Sequence, residues 1–322
     1  MTFKLRHNTL MRLISGSVLL IGFPGLLFLL LFPFVGWHWA LVLPALWWVL
    51  VAYGSIFGWR HIVVRTTTCT SPLLPRDFDG YRVLQLSDIH IGTFLRNRRV
   101  IDRLVAKVNE QHADLIVFTG DLVNVSAEEV IPFQHALAQI EARDGIYSVM
   151  GNHDYCEYGE DKSTRNIVRN QNVLKYLEGK IGWKLLLNEH VLIRRHGSEP
   201  IALIGVENIS RPPFPDYGDL QKAMMGLPRG MFKILLSHDP SHWRRGVLHQ
   251  TDIALTLSGH THAGQMKIGR FSPAKWAYNE WGGKYTEGGS MLYVSLGIGG
   301  TVPFRVGAWP EINVITLRRA AQ

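Results

Sequence analysis

Cysteine is scarce in this chain of 322 residues: only Cys69 and Cys156 occur. Two separated thiols build no disulfide framework and supply no paired-thiolate zinc motif. Both read as isolated thiols; Cys156 lies close to a histidine-bearing motif, but nothing else there suggests a nucleophile. Acidic residues are fewer than basic ones, 26 against 34, leaving a formal net charge of +8. That balance favours anionic partners: a membrane surface, phosphorylated substrates or nucleic acid. Nucleic acid ranks last and is not expected, because no RNP, zinc-finger or helix-turn-helix pattern is present. Internal repeats and low-complexity blocks are absent too. The length suits one large catalytic domain plus an appendage.

The appendage is the first sixty residues. Leu13 to Phe34 is almost wholly apolar, and so, after a short break, is Trp39 to Trp59. Each run is long enough to cross about 30 Å of hydrocarbon as a helix. Pro24 and Pro44 are better tolerated in such spans than in soluble helices. Trp37, Trp39, Trp47, Trp48 and Trp59 crowd the ends and the second span, partly as an interfacial belt. A cleaved signal peptide is the rival reading, but the first run is long for a signal core and a second follows at once. Lys4, Arg6 and Arg12 precede the first run, Arg60, Arg65 and Arg76 follow the second, and the connector Val35 to His38 has no Lys or Arg. The positive-inside rule then predicts a hairpin with both ends on the cytoplasmic side of the inner membrane. Nothing polar in it suggests transport, so it reads as an anchor. The expected division is anchor over 1–60, linker over 61–80 (Thr66 to Asp79 is extended and holds Thr, Ser and Pro) and catalytic domain over 81–322.

Beyond the linker the pattern alternates. Strands are predicted at Tyr81 to Leu86, Asp114 to Thr119 and Ile146 to Met150, with helices at Asn97 to Gln111 and Ala127 to Ala142 between them. This order argues for an α/β fold with a largely parallel sheet. Further strands are expected at Ile201 to Val206, Phe232 to Ser237, Asp252 to Leu257, Met291 to Ser295 and Ile312 to Leu317. Their connections are longer and less helical.

Five of these strands run into residues able to bind a metal. The ends read Ser87-Asp88-Ile89-His90, Thr119-Gly120-Asp121, Gly151-Asn152-His153-Asp154, Ser237-His238-Asp239 and Gly259-His260-Thr261-His262. Functional groups collect at the carboxyl ends of strands in open α/β folds. At a strand end, residues i and i+2 face the same side, so His260 and His262 reach one site. Gly259 is expected to let the backbone turn sharply there. Singly, each residue has an ordinary explanation. Asp88 and Asp121 suit helix N-caps, Asn152 a turn, and His238 a hydrogen-bonded core. The other nine histidines, such as His112, His135 and His249, match no strand end and read as surface or structural.

The ordered set Asp-x-His, Gly-Asp, Gly-Asn-His-Asp, His, Gly-His-x-His resembles the calcineurin-like metallophosphoesterase superfamily, over about Tyr81 to Leu317. The resemblance implies a four-layer αββα sandwich, with two packed sheets and helices outside, and a site for two divalent metal ions. Carried over residue by residue, Asp88, His90 and His262 would bind one metal, Asn152, His238 and His260 the other, and Asp121 would bridge them. His153 would be catalytic rather than a ligand, donating a hydrogen bond or proton to the developing or leaving oxygen, with Asp154 orienting and charging it. Asn124 would be either a supporting polar group or a helix cap. Carboxylates mixed with imidazoles suit Mn, Fe or Zn better than Ca. Such a pair of ions makes hydroxide available near neutral pH, as a bridging nucleophile for in-line displacement at phosphorus.

The stretches Gly182 to Glu189, Gly205 to Asn208, Tyr293 to Gly299, Pro303 to Arg305 and Pro310 to Ile312 look like a membrane-associated bacterial branch of that superfamily. Ala263-Gly264-Gln265 departs from its usual Gly-Gly-Gln at a non-ligand position. Members are mostly phosphohydrolases or phosphodiesterases, some acting on lipid-linked or nucleotide-linked phosphates, including the pyrophosphate of UDP-2,3-diacylglucosamine. The expected substrate is therefore a phosphorylated lipid or nucleotide-lipid at the membrane surface. Arg305, in the closing loop, is a candidate phosphate contact. Arg194, Arg195, Arg244 and Arg245 are candidates to face the membrane, with solvated surface the plainer alternative. Tyr155 to Arg165 could form a lip over the site or a plain surface loop. The competing readings are a membrane scaffold that has lost catalysis and a dinuclear hydrolase of another class, such as a peptidase. The first should be missing ligands or His153, and none is missing; the Gly-Asn-His-Asp block argues against the second.

Overall fold

The computed structural model describes residues 16–195, 197 and 199–320. The predicted start of the first apolar run, Leu13 to Ser15, and the flanking Lys4, Arg6 and Arg12 lie outside the described residues. Helix α1 (Phe23–Ala40) contains a break at Gly36, whose φ of 74° and ψ of 168° no helix accommodates. Helix α2 (Val42–Ile56) follows after Leu41. Trp48 Nε1 donates to the Leu20 carbonyl at 2.8 Å, and the Phe23 and Trp47 rings lie 4.4 Å apart. Those pairs are centred on residues 34–35, so the chain reverses at Gly36, inside the expected connector. Most of the hairpin's large side chains, Phe34 and Trp39 among them, are exposed, as a lipid-facing surface requires.

Twelve strands form two six-stranded sheets. In chain order they are β1 (Val63–Ser71), β2 (Arg82–Leu86), β3 (Leu115–Phe118), β4 (Ile146–Ser148), β5 (Lys184–Leu185) and β6 (Glu189–Ile193), then β7 (Ile201–Gly205), β8 (Lys233–Leu236), β9 (Leu255–Ser258), β10 (Gly283–Glu287), β11 (Ser290–Val294) and β12 (Glu311–Arg319). One sheet has the order β1-β12-β2-β3-β4-β5 and the other β10-β11-β9-β8-β7-β6. The strands that end in candidate ligands run parallel within each sheet: β2, β3 and β4 in the first, β8 and β9 in the second.

Side-chain alternation explains the layering. Val83, Leu115 and Val117 of the first sheet meet Leu203, Ile234, Leu236, Leu255 and Leu257 of the second in a buried middle layer. Leu84, Leu86, Ile116 and Phe118 point the other way, onto helix α3 (Arg99–Asn109) and helix α4 (Thr164–Lys180), which bury Ile101, Leu104, Leu174 and Leu177 there. Ala202, Ile204 and Leu235 face a third cluster with Trp243 and Val247. Period-two strands with both faces apolar have to be covered on both sides, and the result is the mixed α/β, two-sheet architecture expected.

Two expectations need correcting. Ala127 to Ala142 is not one helix: a 3₁₀ segment, Ala127–Phe133, passes into a single α-turn, Gln134–Leu137. Pro132 lacks an amide donor and crowds the preceding turn, which shortens a continuous helix. The expected linker is largely sheet. Val63–Ser71 pairs in parallel with Glu311–Arg319 along its whole length, and Leu74 and Phe78 beyond it are fully buried in the middle layer. Threonine-rich segments read as extended from sequence because β-branched residues favour that conformation; their pairing partner, far away at the other end of the domain, leaves no local mark.

If 61–80 is integral to the fold, Phe78→Ala should destabilise the protein by about 3–5 kcal/mol, the range for a buried phenylalanine. Urea unfolding followed by circular dichroism measures this, and a loss within error of zero would restore the linker reading.

Candidate metal centre and its neighbours

The five strand ends converge at one edge of the two sheets. Asp88, His90, Asp121, His260 and His262 all have left-handed backbones, with φ of 49°, 45°, 62°, 73° and 50°. Residues with a Cβ avoid this region. Five instances at one place mark strain of the kind stored at functional sites, and it turns each side chain back towards the same point. Gly259 has a different role from the sharp turn expected of it. A Cβ there would lie 2.0 Å from Ser87 Oγ and 2.1 Å from Asp88 Oδ2. The glycine admits the Asp88 carboxylate, which accepts the His260 amide through both oxygens at 3.1 Å.

Two groups of donor atoms result. In one, His90 Nε2 and His262 Nε2 are 3.2 Å apart, and Asp88 Oδ1 is 3.3 Å from His262 Nε2. In the other, Asn152 Oδ1 lies 2.8 Å from His260 Nδ1 and 3.2 Å from His238 Nε2, with Asp121 Oδ2 also 3.2 Å from His238 Nε2. Asp121 Oδ2 is 3.6 Å from His90 Nε2 as well, so this carboxylate stands between the groups.

The outward nitrogens of two of these rings are held by the surrounding chain. His238 Nδ1 donates to the Thr119 carbonyl at 2.7 Å, so Nε2 is the nitrogen that faces Asp121 and Asn152. His260 Nε2 faces the Tyr278 hydroxyl at 2.7 Å, and its Nδ1 faces Asn152 and His238. Burial pushes His90 down to about 3 and His260 to about 4, and burial plus the Arg305 charge takes His262 far below the usual imidazole range. Burial also works against charge on His238, but the neighbouring Asp121 carboxylate outweighs it and pushes His238 up to about 10. Asp121 is itself held well below the usual carboxylate range: burial opposes this, and His238 and His153 overcome it. The Nε2 atoms of His90 and His262 stand 3.2 Å apart, a separation suited to a shared proton or to a cation bound by both. Among the described residues, three-residue groups able to hold an ion are Asp88–His90–His262, His90–Asp121–His153 and Asp121–His238–His260. Nitrogen and oxygen donors without sulfur fit a borderline divalent cation.

His153 stands beside both groups. Its Nδ1 is 2.7 Å from the Asn124 carbonyl, so Nε2 is turned to the site, and its ring lies 4.8 Å edge-on from His90. Its amide donates to Asp121 Oδ1 at 2.8 Å. Asp154 is not the group that orients it. This buried carboxylate accepts the backbone amides of Asp121 (2.7 Å), Leu122 (2.8 Å), Val123 (3.2 Å) and Gly151 (2.9 Å). It ties the two loops together, and the Asn124 main chain takes the orienting role. The Asn124 side chain, expected as a supporting group or cap, donates instead to Thr93 Oγ1 at 3.1 Å.

Arg305 is also placed differently from expectation. It is 1% exposed, and its guanidinium donates to the carbonyls of Leu296, Ala308, Gly299 and His262, with Nη2 3.0 Å from His262 Nδ1. A guanidinium engaged by so many carbonyls braces the closing loop behind His262 and does not reach an incoming phosphate. Arg195 and Arg244 are engaged in pairs, Arg195 with Asp114 and Arg244 with Glu280 and Glu287. Cys156 is buried, and burial pushes its thiol up to about 12, which removes it as a nucleophile.

Sequence reasoning missed the aromatic wall. Tyr158 lies over His153 with ring centroids 4.6 Å apart and takes a hydrogen bond from Asn152 Nδ2, so part of the expected lip covers the site. Phe214 and Tyr278 flank His260. A groove of about 420 Å³ opens beside them, lined by His153, Phe214, Gln265, Pro273, Ala277 and Tyr278 among others. Isolated aromatics in loops have no spacing that reveals them.

Comparison with known proteins now bears on this geometry. A family model described as calcineurin-like phosphoesterase matches residues 81–264. The chain belongs to that family. An uncharacterized Bacillus subtilis metallophosphoesterase, YkuE, is 30% identical over 80% of this chain and 86% of its own length. A Danio rerio relative called transmembrane protein with metallophosphoesterase domain is 30% identical over 87% of this chain; the chain spans 62% of that relative. Among solved structures, a Thermus thermophilus protein aligns over 68% of this chain and 90% of its own, at 14% identity and a TM-score of 0.42. Membership makes this a phosphoester hydrolase family protein with candidate metal ligands. Its two apolar helices, Leu20–Ala40 and Val42–Arg60, are long and apolar enough to cross a membrane, in keeping with relatives named as transmembrane.

Gly259→Ala should push Asp88 out of its place and cost the protein its metal, read by elemental analysis of the purified chain, while circular dichroism stays unchanged. Full metal content in that variant would contradict the close-approach role.

Proposed function

We propose that this protein is a membrane-anchored phosphohydrolase that holds two divalent metal ions and cleaves a phosphodiester or pyrophosphate bond of a lipid-linked or nucleotide-linked substrate. The observation that carries this reading is the meeting of two groups of nitrogen and oxygen atoms at the Asp121 carboxylate, with His153 Nε2 turned towards them. Asp88, His90 and His262 would hold one ion, Asn152, His238 and His260 the second, and Asp121 both. Mn, Fe and Zn all suit this donor set. When bound, the ions would supply Lewis acidity and a water acidic enough to attack phosphorus near neutral pH.

The chain's own residues do the rest. As an imidazolium, His153 can give an Nε2 proton or a hydrogen bond to the oxygen that gains charge as the P–O bond breaks, a step worth 10²–10⁴-fold when a positioned side chain performs it, as an order of magnitude. The Asn124 carbonyl keeps that imidazole in one orientation. Asp154 holds the Asp121 and Asn152 loops in register, and Arg305 holds the closing loop against His262. Tyr158 and Phe214 limit water around the reacting groups. The hairpin and its charge asymmetry support an anchor in the inner membrane with the catalytic domain on the cytoplasmic side, where a lipid-linked phosphate would be within reach.

Asp121→Ala should abolish hydrolysis of a generic phosphodiester by the folded protein; retained turnover would end this mechanism. For His153→Ala, kcat should fall by roughly 10²–10⁴-fold with metal content unchanged, and loss of metal would make it a ligand instead. Chelation should silence the enzyme reversibly, with Mn, Fe and Zn added back singly to rank them. A reporter fused after Gln322 that signals from the periplasm would reverse the topology.

A further inference from the structure

The hairpin does not merely tether the domain. Val51 is buried against Phe304 and Val306, with Trp47, Leu50, Met266 and Val302 packed around them. Gly54 lets the closing loop approach: a Cβ there would meet the Phe304 ring and Val306 at 2.7 Å, and the Arg305 amide donates to the Gly54 carbonyl at 3.2 Å. Helical residues resume at Trp37 after the reversal. A span of about 20 residues counted from there ends near Ile56, so Val51 and Gly54 fall in its last two turns, within about 8 Å of that end at about 1.5 Å per residue. The loops packed on them must then lie at the depth of the membrane interface.

One of those loops continues outward. Met266 bridges to Val306, and the Lys267 amide donates to the Val306 carbonyl. Ile268 and Phe271 close a tight turn by exchanging backbone hydrogen bonds at 3.0 Å. Ile268, Phe271 and Trp276 are 57%, 46% and 80% exposed, and the Phe271 and Trp276 rings touch at 5.7 Å. Exposure of such side chains to water gains nothing, whereas aromatic rings settle well at a headgroup boundary. Arg270 and Lys275, both exposed, flank them and complement anionic headgroups. Pro273, Ala274, Ala277 and Tyr278, the inner side of the same loop, line the groove beside the candidate metal centre.

We propose that the loop from Met266 to Tyr278 is a membrane-inserting lip, which dips Ile268, Phe271 and Trp276 into an anionic bilayer surface and opens the groove to substrate arriving in the membrane plane. It rests on the membrane-anchored reading above and adds the orientation of the domain to it. A lipid-linked phosphate would reach the site headgroup first while its chains stay in the bilayer.

The test uses the full-length chain in phosphatidylcholine vesicles, with and without phosphatidylglycerol. Cys69 and Cys156 are buried, so a polarity-sensitive dye can be attached at Trp276→Cys or, as a water-facing control, at Tyr176→Cys in α4. The dye at 276 should be quenched by shallow spin-labelled lipid and shielded from aqueous iodide, more so with phosphatidylglycerol present, while the dye at 176 should show the reverse. Ile268→Ser/Phe271→Ser/Trp276→Ser should raise KM for a phosphodiester embedded in the vesicles by about tenfold and leave turnover of a water-soluble phosphodiester unchanged. Iodide reaching 276 as freely as 176, in protein that floats with the vesicles, would overturn the lip and leave the anchor standing. Protein that does not float with the vesicles would overturn both.

Discussion

A single buried carboxylate sets the geometry on which the centre depends. Asp154 accepts four backbone amides, three from the loop after β3 and one from the loop after β4. Its burial and the nearby Asp121 charge push it up to about 7, a cost that hydrogen bonds from four amides offset. In return the two loops that carry Asp121 and Asn152 are fixed to each other. Asp121 and Asn152 therefore face one another from different strands, and Asp121 Oδ1 then takes the His153 amide. The carboxylate between the donor groups, one candidate ligand and the candidate acid all depend on that one knot. Left-handed backbones at Asp88, His90, Asp121, His260 and His262 are tolerable only where such cross-links hold the loops, since each is a conformation that an isolated chain avoids.

Much of this was legible in the sequence, for a physical reason. Strand ends in a parallel sheet all point to one edge, so a polar residue after each apolar run has its destination fixed by topology. Asp88, His90, Asp121, Asn152, His238, His260 and His262 meet in space because of that rule. The apolar hairpin was legible because hydrocarbon thickness sets a length and a composition. What stayed hidden were roles decided by a partner distant in the chain. Asp154 and Arg305 are charged residues close to a site, which invites a chemical reading; each proved to be buried and turned on backbone groups. The strand Val63–Ser71 looked like a linker because only its pairing with Glu311–Arg319 distinguishes it. Tyr158, Phe214 and Tyr278 come from three separate loops, and no local pattern announces that they share a wall.

The closing loop connects the membrane segment to the centre. Gly54 gives its carbonyl to the Arg305 amide, and a Cβ at Gly58 would fall 2.0 Å from the Arg305 carbonyl. The same Arg305 turns its guanidinium to the carbonyls of Leu296, Gly299 and Ala308 and to His262. Helix α2, the closing loop and one candidate ligand therefore form one continuous packed path. A buried guanidinium held by carbonyls rather than by a carboxylate is expensive, and burial pulls Arg305 down to about 10; the carbonyls it gathers offset that only while the loop keeps its shape. Because the helix end supplies part of that shape, the position of the domain against the bilayer and the position of His262 cannot be set independently. For the membrane-carried substrate proposed above, that dependence would keep the groove and the candidate ligands aligned in the one orientation where such a substrate would arrive.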